Sequence, residues 1–233
     1  MISKPRLGEV ENVTVVAEIG ILRKMKGRGF ARYDRLNSTI TMQNTSADLF
    51  KRAIGSATDT LRALEKLEPR IAEAAELIVD CLSRGNKMLV CGNGGSAADG
   101  ADFCTEFACR FEKDRRPYPA LNLSQGGSLL TATANDYGFE EVFARQVRAF
   151  GLTGDLLIAI STSGNSKNIH RALAEAKSRG LKTIALLGRK GGDSSGIADV
   201  EIIVPGQSTA RIQEAHKFLL HVWCEICEAR LAV

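Results

Sequence analysis

Five short apolar runs, separated by stretches of helical periodicity, constrain this chain more than any other feature. They are "KMLVC" (87–91), "ALNLS" (120–124), "DLLIAIS" (155–161), "KTIALLG" (182–188) and "VEIIVP" (200–205). Strands of this length and apolarity, alternating with helices, imply a parallel sheet covered on both faces. Helical patterns follow the first four runs at about 96–111, in stretches up to about Phe150, at about 165–179 and, briefly, near 193–197. A long one, "ARIQEAHKFLLHVWCEICEARL" (210–231), closes the chain. The expected fold is a three-layer α/β/α sandwich around five parallel strands. Two amphipathic helices precede the sheet, "SADLFKRAIGSATDTLRALEKL" (46–67) and "PRIAEAAELIVDCLSRG" (69–85). Pro69 opens the second and Gly85 stands just past its end. These helices and the closing one are long enough to pack a partner subunit.

The 233 residues suffice for one sizeable core and a short extension. Residues 1–41 show no sustained period, and glycines interrupt them at 20, 27 and 29. They are expected to form an irregular basic extension, with the folded domain over 42–233. The extension carries eight Lys/Arg against four Asp/Glu, whereas 42–233 carries 23 of each. The net charge of +4 is therefore not a nucleic-acid footprint of the folded part. No apolar run approaches the ~20 residues of a membrane span. The run "VTVVAEIGIL" (13–22) is interrupted by Glu18 and lacks a small-residue cleavage site. The expectation is a cytoplasmic protein with no membrane and no nucleic-acid partner. Six cysteines in a chain this long suggest reduced, mostly buried thiols, and Cys224-x-x-Cys227 has no second pair to make a zinc knuckle.

Two loops at strand ends are unusual. The first is Gly92-Asn93-Gly94-Gly95-Ser96; the second is Ser161-Thr162-Ser163-Gly164-Asn165-Ser166. Each joins a strand to a helix start, where free backbone N–H groups and the helix dipole cradle anions. The hydroxyls of Ser161, Thr162, Ser163 and Ser166 suit the oxygens of one phosphate. A nucleotide-binding P-loop is excluded, because neither loop has the lysine. Gly92, Gly94 and Ala97 match a dinucleotide fingerprint, but the next strand ends in Ser124 and Gln125 rather than an acidic residue. A small phosphorylated ligand fits better than tight turns with capping serines alone.

Acid–base candidates lie on two helices. Asp102 and Glu106 are four apart and share a helix face. Gln213 and His221 are eight apart, about two turns. By themselves these residues read first as a solvated acidic edge and a satisfied core histidine.

The segments "CGNGGSAAD", "TANDYGF" (133–139), "ISTSGNS" (160–166) and "TARIQEAH" (209–216), in this order and spacing, resemble the phosphoheptose isomerases of the sugar isomerase (SIS) domain family. The resemblance runs from about Met42 to the end, and residues 1–41 have no counterpart in it. It implies a flavodoxin-like SIS domain and a homotetramer with active sites between subunits. It also implies isomerisation of sedoheptulose 7-phosphate to D-glycero-D-manno-heptose 7-phosphate, the first step of nucleotide-activated heptose synthesis. By resemblance, Glu106 and His221 are the catalytic acid/base pair. The substrate positions are Asn93, Gly94, Gly95, Ser96, Asn135, Asp136, Ser161, Thr162, Ser163, Ser166 and Gln213. One zinc per site is implied on Glu106, Gln213, His221 and Asp102, the last standing where the family usually has histidine. The alternative is a non-catalytic SIS module that binds a sugar phosphate and a protein partner such as the replication initiator. The presence of both Glu106 and His221 argues for catalysis.

Overall fold

The structure, a computed structural model, describes residues 45–231; the expected extension over 1–41 lies outside the described residues. The elements run α1 (Ser46–Ala63), α2 (Glu68–Ser83), β1 (Met88–Gly92), α3 (Gly95–Ala108), β2 (Ala120–Asn122), α4 (Gly127–Tyr137), α5 (Ala144–Phe150), β3 (Leu156–Ser161), α6 (Lys167–Ser178), β4 (Lys182–Gly188), β5 (Val200–Val204) and α7 (Thr209–Arg230). The five strands form one parallel sheet in the order β2-β1-β3-β4-β5.

The three central strands β1, β3 and β4 are buried on both faces, and their alternation divides the core in two. Met88 and Val90 of β1, Leu156, Ile158 and Ile160 of β3, and Ile184 and Leu186 of β4 pack with α2, α3 and α7. Leu89, Cys91, Leu157, Ala159, Ala185 and Leu187 point the other way, onto α5 and α6. This is the three-layer sandwich that the strand pattern predicts. Each large side chain so buried contributes roughly 1.5–3 kcal/mol. Trp223 of α7 is fully buried and donates its indole N–H to the Ile71 carbonyl of α2 at 3.1 Å, which satisfies its polar edge.

Element boundaries differ from the expected ones where polar side chains intervene. The second strand stops at Asn122 rather than Ser124. The Asn122 carboxamide accepts from the Ser124 N–H at 2.9 Å and donates to the Ala97 carbonyl at 3.3 Å, turning the chain into a 3₁₀ turn over Leu123–Gln125. The first helix ends at Ala63 and tightens into a 3₁₀ turn over Leu64–Leu67. The short helix near 193–197 is a single 3₁₀ turn at Gly192–Ser194.

His216 lies on the sheet-facing side of α7 with no solvent exposure. Its Nε2 sits 3.0 Å from the Leu187 carbonyl, and its Nδ1 has no partner. Burial depresses its pKa from 6.5 to about 4. The unfolded chain therefore binds a proton on His216 that the folded chain refuses. Stability is complete above the unfolded value and falls as pH drops from about 6.5 towards about 4. Urea unfolding at pH 7 and pH 5 is expected to show an acid-side loss that is about 2 kcal/mol smaller in His216→Gln than in the wild type. Equal losses in the two proteins would refute the assignment.

Candidate active site

β1 and β3 are neighbours, yet the chain leaves them towards opposite faces of the sheet. Their carboxyl ends therefore open a crevice at a topological switch point. The first glycine loop leaves β1 there. Gly94 opens α3 with φ +55°, in the region that favours glycine, and its carbonyl accepts from the Ala97 and Ala98 N–H groups of the first turn. A Cβ at Gly92 would meet the Ser96 carbonyl group at 2.7 Å, so the turn closes only over glycine. The Ser124 hydroxyl fastens the strand end from the β2 side, accepting from Gly92 N–H at 3.2 Å and donating to its carbonyl at 2.9 Å.

The second loop leaves β3 beside it. The buried Ser161 hydroxyl accepts from Gly164 N–H at 3.1 Å and lies 3.4 Å from the Ser166 hydroxyl; Ser163 Oγ accepts from Asn165 N–H at 3.2 Å. Gly164 has φ +69°, and a Cβ there would stand 1.9 Å from the Gly191 carbonyl oxygen, inside van der Waals contact. Ser166 caps the 12-residue α6 without a side-chain hydrogen bond to its first turn, so that end keeps donors for an anion. Thr162, Ser163 and Ser166 are half-buried at the crevice. Asn93 and Asn168 exchange two carboxamide hydrogen bonds of 2.9 Å, tying the first loop to the first turn of α6.

Next to the crevice, α3 and α7 form a polar seam. A Cβ at Gly95 would meet the Gln213 carboxamide at 2.4 Å, so glycine is what admits Gln213 to the start of α3. Gln213 lies beside the Asp99 side chain, close enough to hold its pKa down. The Lys217 ammonium, one turn further along α7, donates to Asp102 Oδ2 at 2.5 Å and stands 4.0 Å from Asp99 Oδ1. Asp99 is buried at 8% exposure, and its Oδ2 has no hydrogen-bond partner. Desolvation raises the Asp99 pKa, opposed by the Gln213 carboxamide and the Lys217 charge. His221 lies one turn beyond Lys217, with its ring 5.9 Å from that of Phe111, and its charge also bears on Asp99.

Glu106 is half-buried one turn after Asp102 and acts electrostatically on Cys224 of α7. Its backbone carbonyl accepts from Arg115 Nη2 at 2.5 Å, and Arg115 Nη1 donates to the Phe107 carbonyl at 3.1 Å. Arg115 pairs in turn with Glu228 of α7 at 3.3 Å, both side chains being almost fully buried. That clamp holds the end of α3 against α7 and fixes where Glu106 projects.

The residues expected for catalysis, Glu106 and His221, thus share the seam with Asp102 and Gln213, while Asn93, Gly94, Gly95, Ser96, Ser161, Thr162, Ser163 and Ser166 line or support the two loops. The Asn93 carboxamide is engaged with Asn168. Asn135 and Asp136 stand apart, exposed near the end of α4 and hydrogen-bonded to each other at 2.8 Å. No hydrogen bond among the described residues joins them to either loop. Among the described residues no three His, Cys, Asp or Glu side chains gather into a group that could hold a metal ion. The expected zinc set of Asp102, Glu106, Gln213 and His221 does not fit this arrangement, because Asp102 is engaged by an ammonium group. Cys224 and Cys227 are buried thiols whose pKa values burial raises, that of Cys227 to about 12. The sequence reading passed over Asp99 and Lys217. Their signal was periodicity: Asp99 precedes Asp102 by three residues, and Lys217 falls midway between Gln213 and His221.

Two anion-cradling loops at a switch point, beside a seam of carboxylates, carboxamide and imidazole, place the chain among sugar-phosphate-handling α/β domains. Residues 54–188 match the SIS domain family. A phosphoheptose isomerase from Geobacter sulfurreducens is 50% identical over 172 residues, covering 73% of this chain and 91% of the relative. One from Coxiella burnetii is 46% identical over 191 residues, covering 79% of this chain and 96% of its own. The solved phosphoheptose isomerase from Francisella tularensis superposes with a TM-score of 0.75 at 38% identity, covering 79% of this chain and 99% of that one. That from Neisseria gonorrhoeae gives 0.70 at 41% identity, covering 78% and 99%. The chain belongs to the phosphoheptose isomerases within the SIS domain family, a family of enzymes, and the non-catalytic alternative is not favoured.

Gly164→Ala tests the cradle. The added methyl must displace Gly191 and sit at a positive φ, so the variant is expected to lose ~2 kcal/mol or more of stability. It is also expected to lose the thermal stabilisation that a sugar phosphate gives the wild type. A variant that keeps both the melting temperature and the ligand shift would show that the loop tolerates a side chain and that its shape is not what binds.

Proposed function

We propose that the chain converts sedoheptulose 7-phosphate to D-glycero-D-manno-heptose 7-phosphate. The observation that carries the reading is the continuity of the crevice: hydroxyl loop, α6 terminus, Asn168–Asn93 bridge, glycine loop, Gln213, carboxylate seam. A phosphate held by Ser161, Thr162, Ser163 and Ser166 leaves the open chain of the sugar to run towards α3 and α7. There Glu106 takes the proton from C1 of the ketose and returns it to C2. His221 moves the hydroxyl proton between O1 and O2, so that the C2 carbonyl becomes a hydroxyl and C1 becomes the aldehyde. Gln213, bridging Gly95 and Asp99, orients the sugar hydroxyls. The enediolate formed between the two proton transfers needs positive charge beside its oxygens.

Zinc is the cation that the family resemblance implies for this task, and when bound it would polarise the carbonyl. The donor set here departs from that pattern, with a carboxylate at position 102 in contact with Lys217. No proton transfer above is routed through a metal. Assembly as a homotetramer belongs to the same reading. Its support is the apolar surface left open: Tyr137 and Phe139 beside Asp136, and Phe218 with Leu61 along a groove of ≈ 430 Å³ between α7 and the α1–α2 region. A subunit packed over Tyr137 and Phe139 would also cover Asn135 and Asp136 and close a site that is open within one chain. No helix among the described residues is long and apolar enough to cross a membrane, and a cytoplasmic location agrees with the sugar-phosphate substrate.

Following aldoheptose phosphate formation from sedoheptulose 7-phosphate tests the reading. Glu106→Gln is expected to lower kcat by roughly 10²–10⁴-fold with the melting temperature within a few degrees of wild type. Wild-type protein that binds the ketose phosphate but never turns it over would refute it. Sedimentation is expected to give four chains per particle, and a monomer with full activity would refute an intersubunit site.

A further inference from the structure

We infer that Lys217 is the built-in cation of this active site, occupying with its ammonium group the place of a divalent metal. The inference rests on the isomerase reading and deepens it. Gln213, Lys217 and His221 recur at intervals of four on one face of α7, and Asp99, Asp102 and Glu106 recur at three and four on the facing side of α3. The lysine is at the middle of one row and Asp102 at the middle of the other, and they are in contact at 2.5 Å. The same ammonium stands 4.0 Å from the buried Asp99, which Gln213 engages from the preceding turn.

Two features separate this pair from an ordinary surface ion pair. First, it sits inside the set of side chains through which a divalent ion would have to be held. An ion on Asp102 would face the ammonium at a distance where like charges repel strongly. Ammonium and metal are therefore alternatives for the same place. Second, Asp99 Oδ2 is a buried carboxylate oxygen without a partner, at the floor of the seam. A carboxylate left in that state calls for a hydrogen-bond donor from a ligand. A sugar hydroxyl seated on Asp99 brings the adjacent carbonyl carbon beside the ammonium. The Lys217 N–H donors can then stabilise the oxyanion as Glu106 removes the C1 proton, and the charge is released again when that proton arrives at C2. The cycle moves one proton between two carbons and consumes nothing.

The test separates metal binding from turnover. Wild-type protein purified without added metal is expected to carry zinc well below one per chain and to keep its full rate in excess chelator. Titration with zinc chloride alone is expected to show weak binding to the wild type. Lys217→Met, which keeps the aliphatic stem, is expected to bind zinc on the order of 10²-fold more tightly, and Asp102→His with Lys217→Met more tightly still. Lys217→Met without zinc is expected to lose about 10²–10³-fold in kcat with little change in KM, and Lys217→Arg to recover part of that loss. One tightly held zinc per wild-type chain, with activity lost to chelator and restored by zinc, would overturn the inference. So would an unchanged kcat in Lys217→Met, or no gain of zinc affinity in either methionine variant. A wild-type protein inactive under every condition would refute the isomerase reading, and the zinc titrations of the three proteins would then still decide whether Lys217 holds the place of a metal.

Discussion

The parallel pairing of β1 with β3 is the constraint on which the rest of the site depends. Their register sets Cys91 opposite Ala159 and Gly92 opposite Ile160, so the two strands end nearly level. Each is followed by a loop and then a helix, but α3 covers one face of the sheet and α6 the other. Two helix N-termini are thereby aimed into one crevice from opposite sides. Their dipoles and free N–H groups favour an anion there. The Asn93–Asn168 pair holds the two loop ends at fixed separation, and Ser124 fixes the first from the strand beyond. Glycine is needed at Gly92 and Gly164 because neighbouring backbone fills the space a Cβ would take.

Charge is distributed in the α3–α7 seam in a way that stability alone does not explain. Arg115 and Glu228 form a buried, multiply hydrogen-bonded clamp whose disruption would leave an uncompensated charge. Lys87 and Asp155 do similar work where β1 and β3 begin. The Lys217–Asp102 pair is different. The Asp102 side chain is 64% exposed, and exposed pairs contribute at most about 1 kcal/mol. Three carboxylates within two turns of α3 also repel one another. The Lys217 ammonium, in contact with Asp102, lowers that repulsion, and His221 acts on Asp99 in the same sense.

The fold was largely legible in the sequence because its central strands are apolar on both faces, a pattern that neither a loop nor an amphipathic helix produces. The missed boundaries have side-chain causes. Asn122 reads as part of a strand until its carboxamide is seen capping the turn that follows. The two loops were legible from glycine and hydroxyl content at strand ends. The seam was legible only in part. Asp102, Glu106, Gln213 and His221 fall on two helices far apart in sequence, and only packing at Gly95 shows that Gln213 reaches α3. Lys217, next to a buried histidine in "AHKFLLH", reads as a solvated lysine. Its role depends on a partner 115 residues away. Asn135 and Asp136 show the converse: their place in the sequence pattern is clear, yet among the described residues no hydrogen bond joins them to either loop.

Asp99 connects the packing of the seam to its chemistry. A buried carboxylate oxygen with no donor costs folding free energy on the order of 1–3 kcal/mol, more when ionised. Removing that cost within the chain would take only one more donor, yet the Lys217 ammonium contacts Asp102 and stands 4.0 Å from the other Asp99 oxygen. Asp99 stands one turn before Asp102 and two turns before Glu106 on α3. A ligand hydroxyl that reaches Oδ2 would recover the lost hydrogen bond on binding. The strain held in the free site thereby favours the ligand orientation that places a carbonyl group beside the ammonium. On this argument the two residues that the sequence pattern concealed, Asp99 and Lys217, act as a pair: one selects the orientation of the sugar, and the other answers the charge that develops once it is oriented.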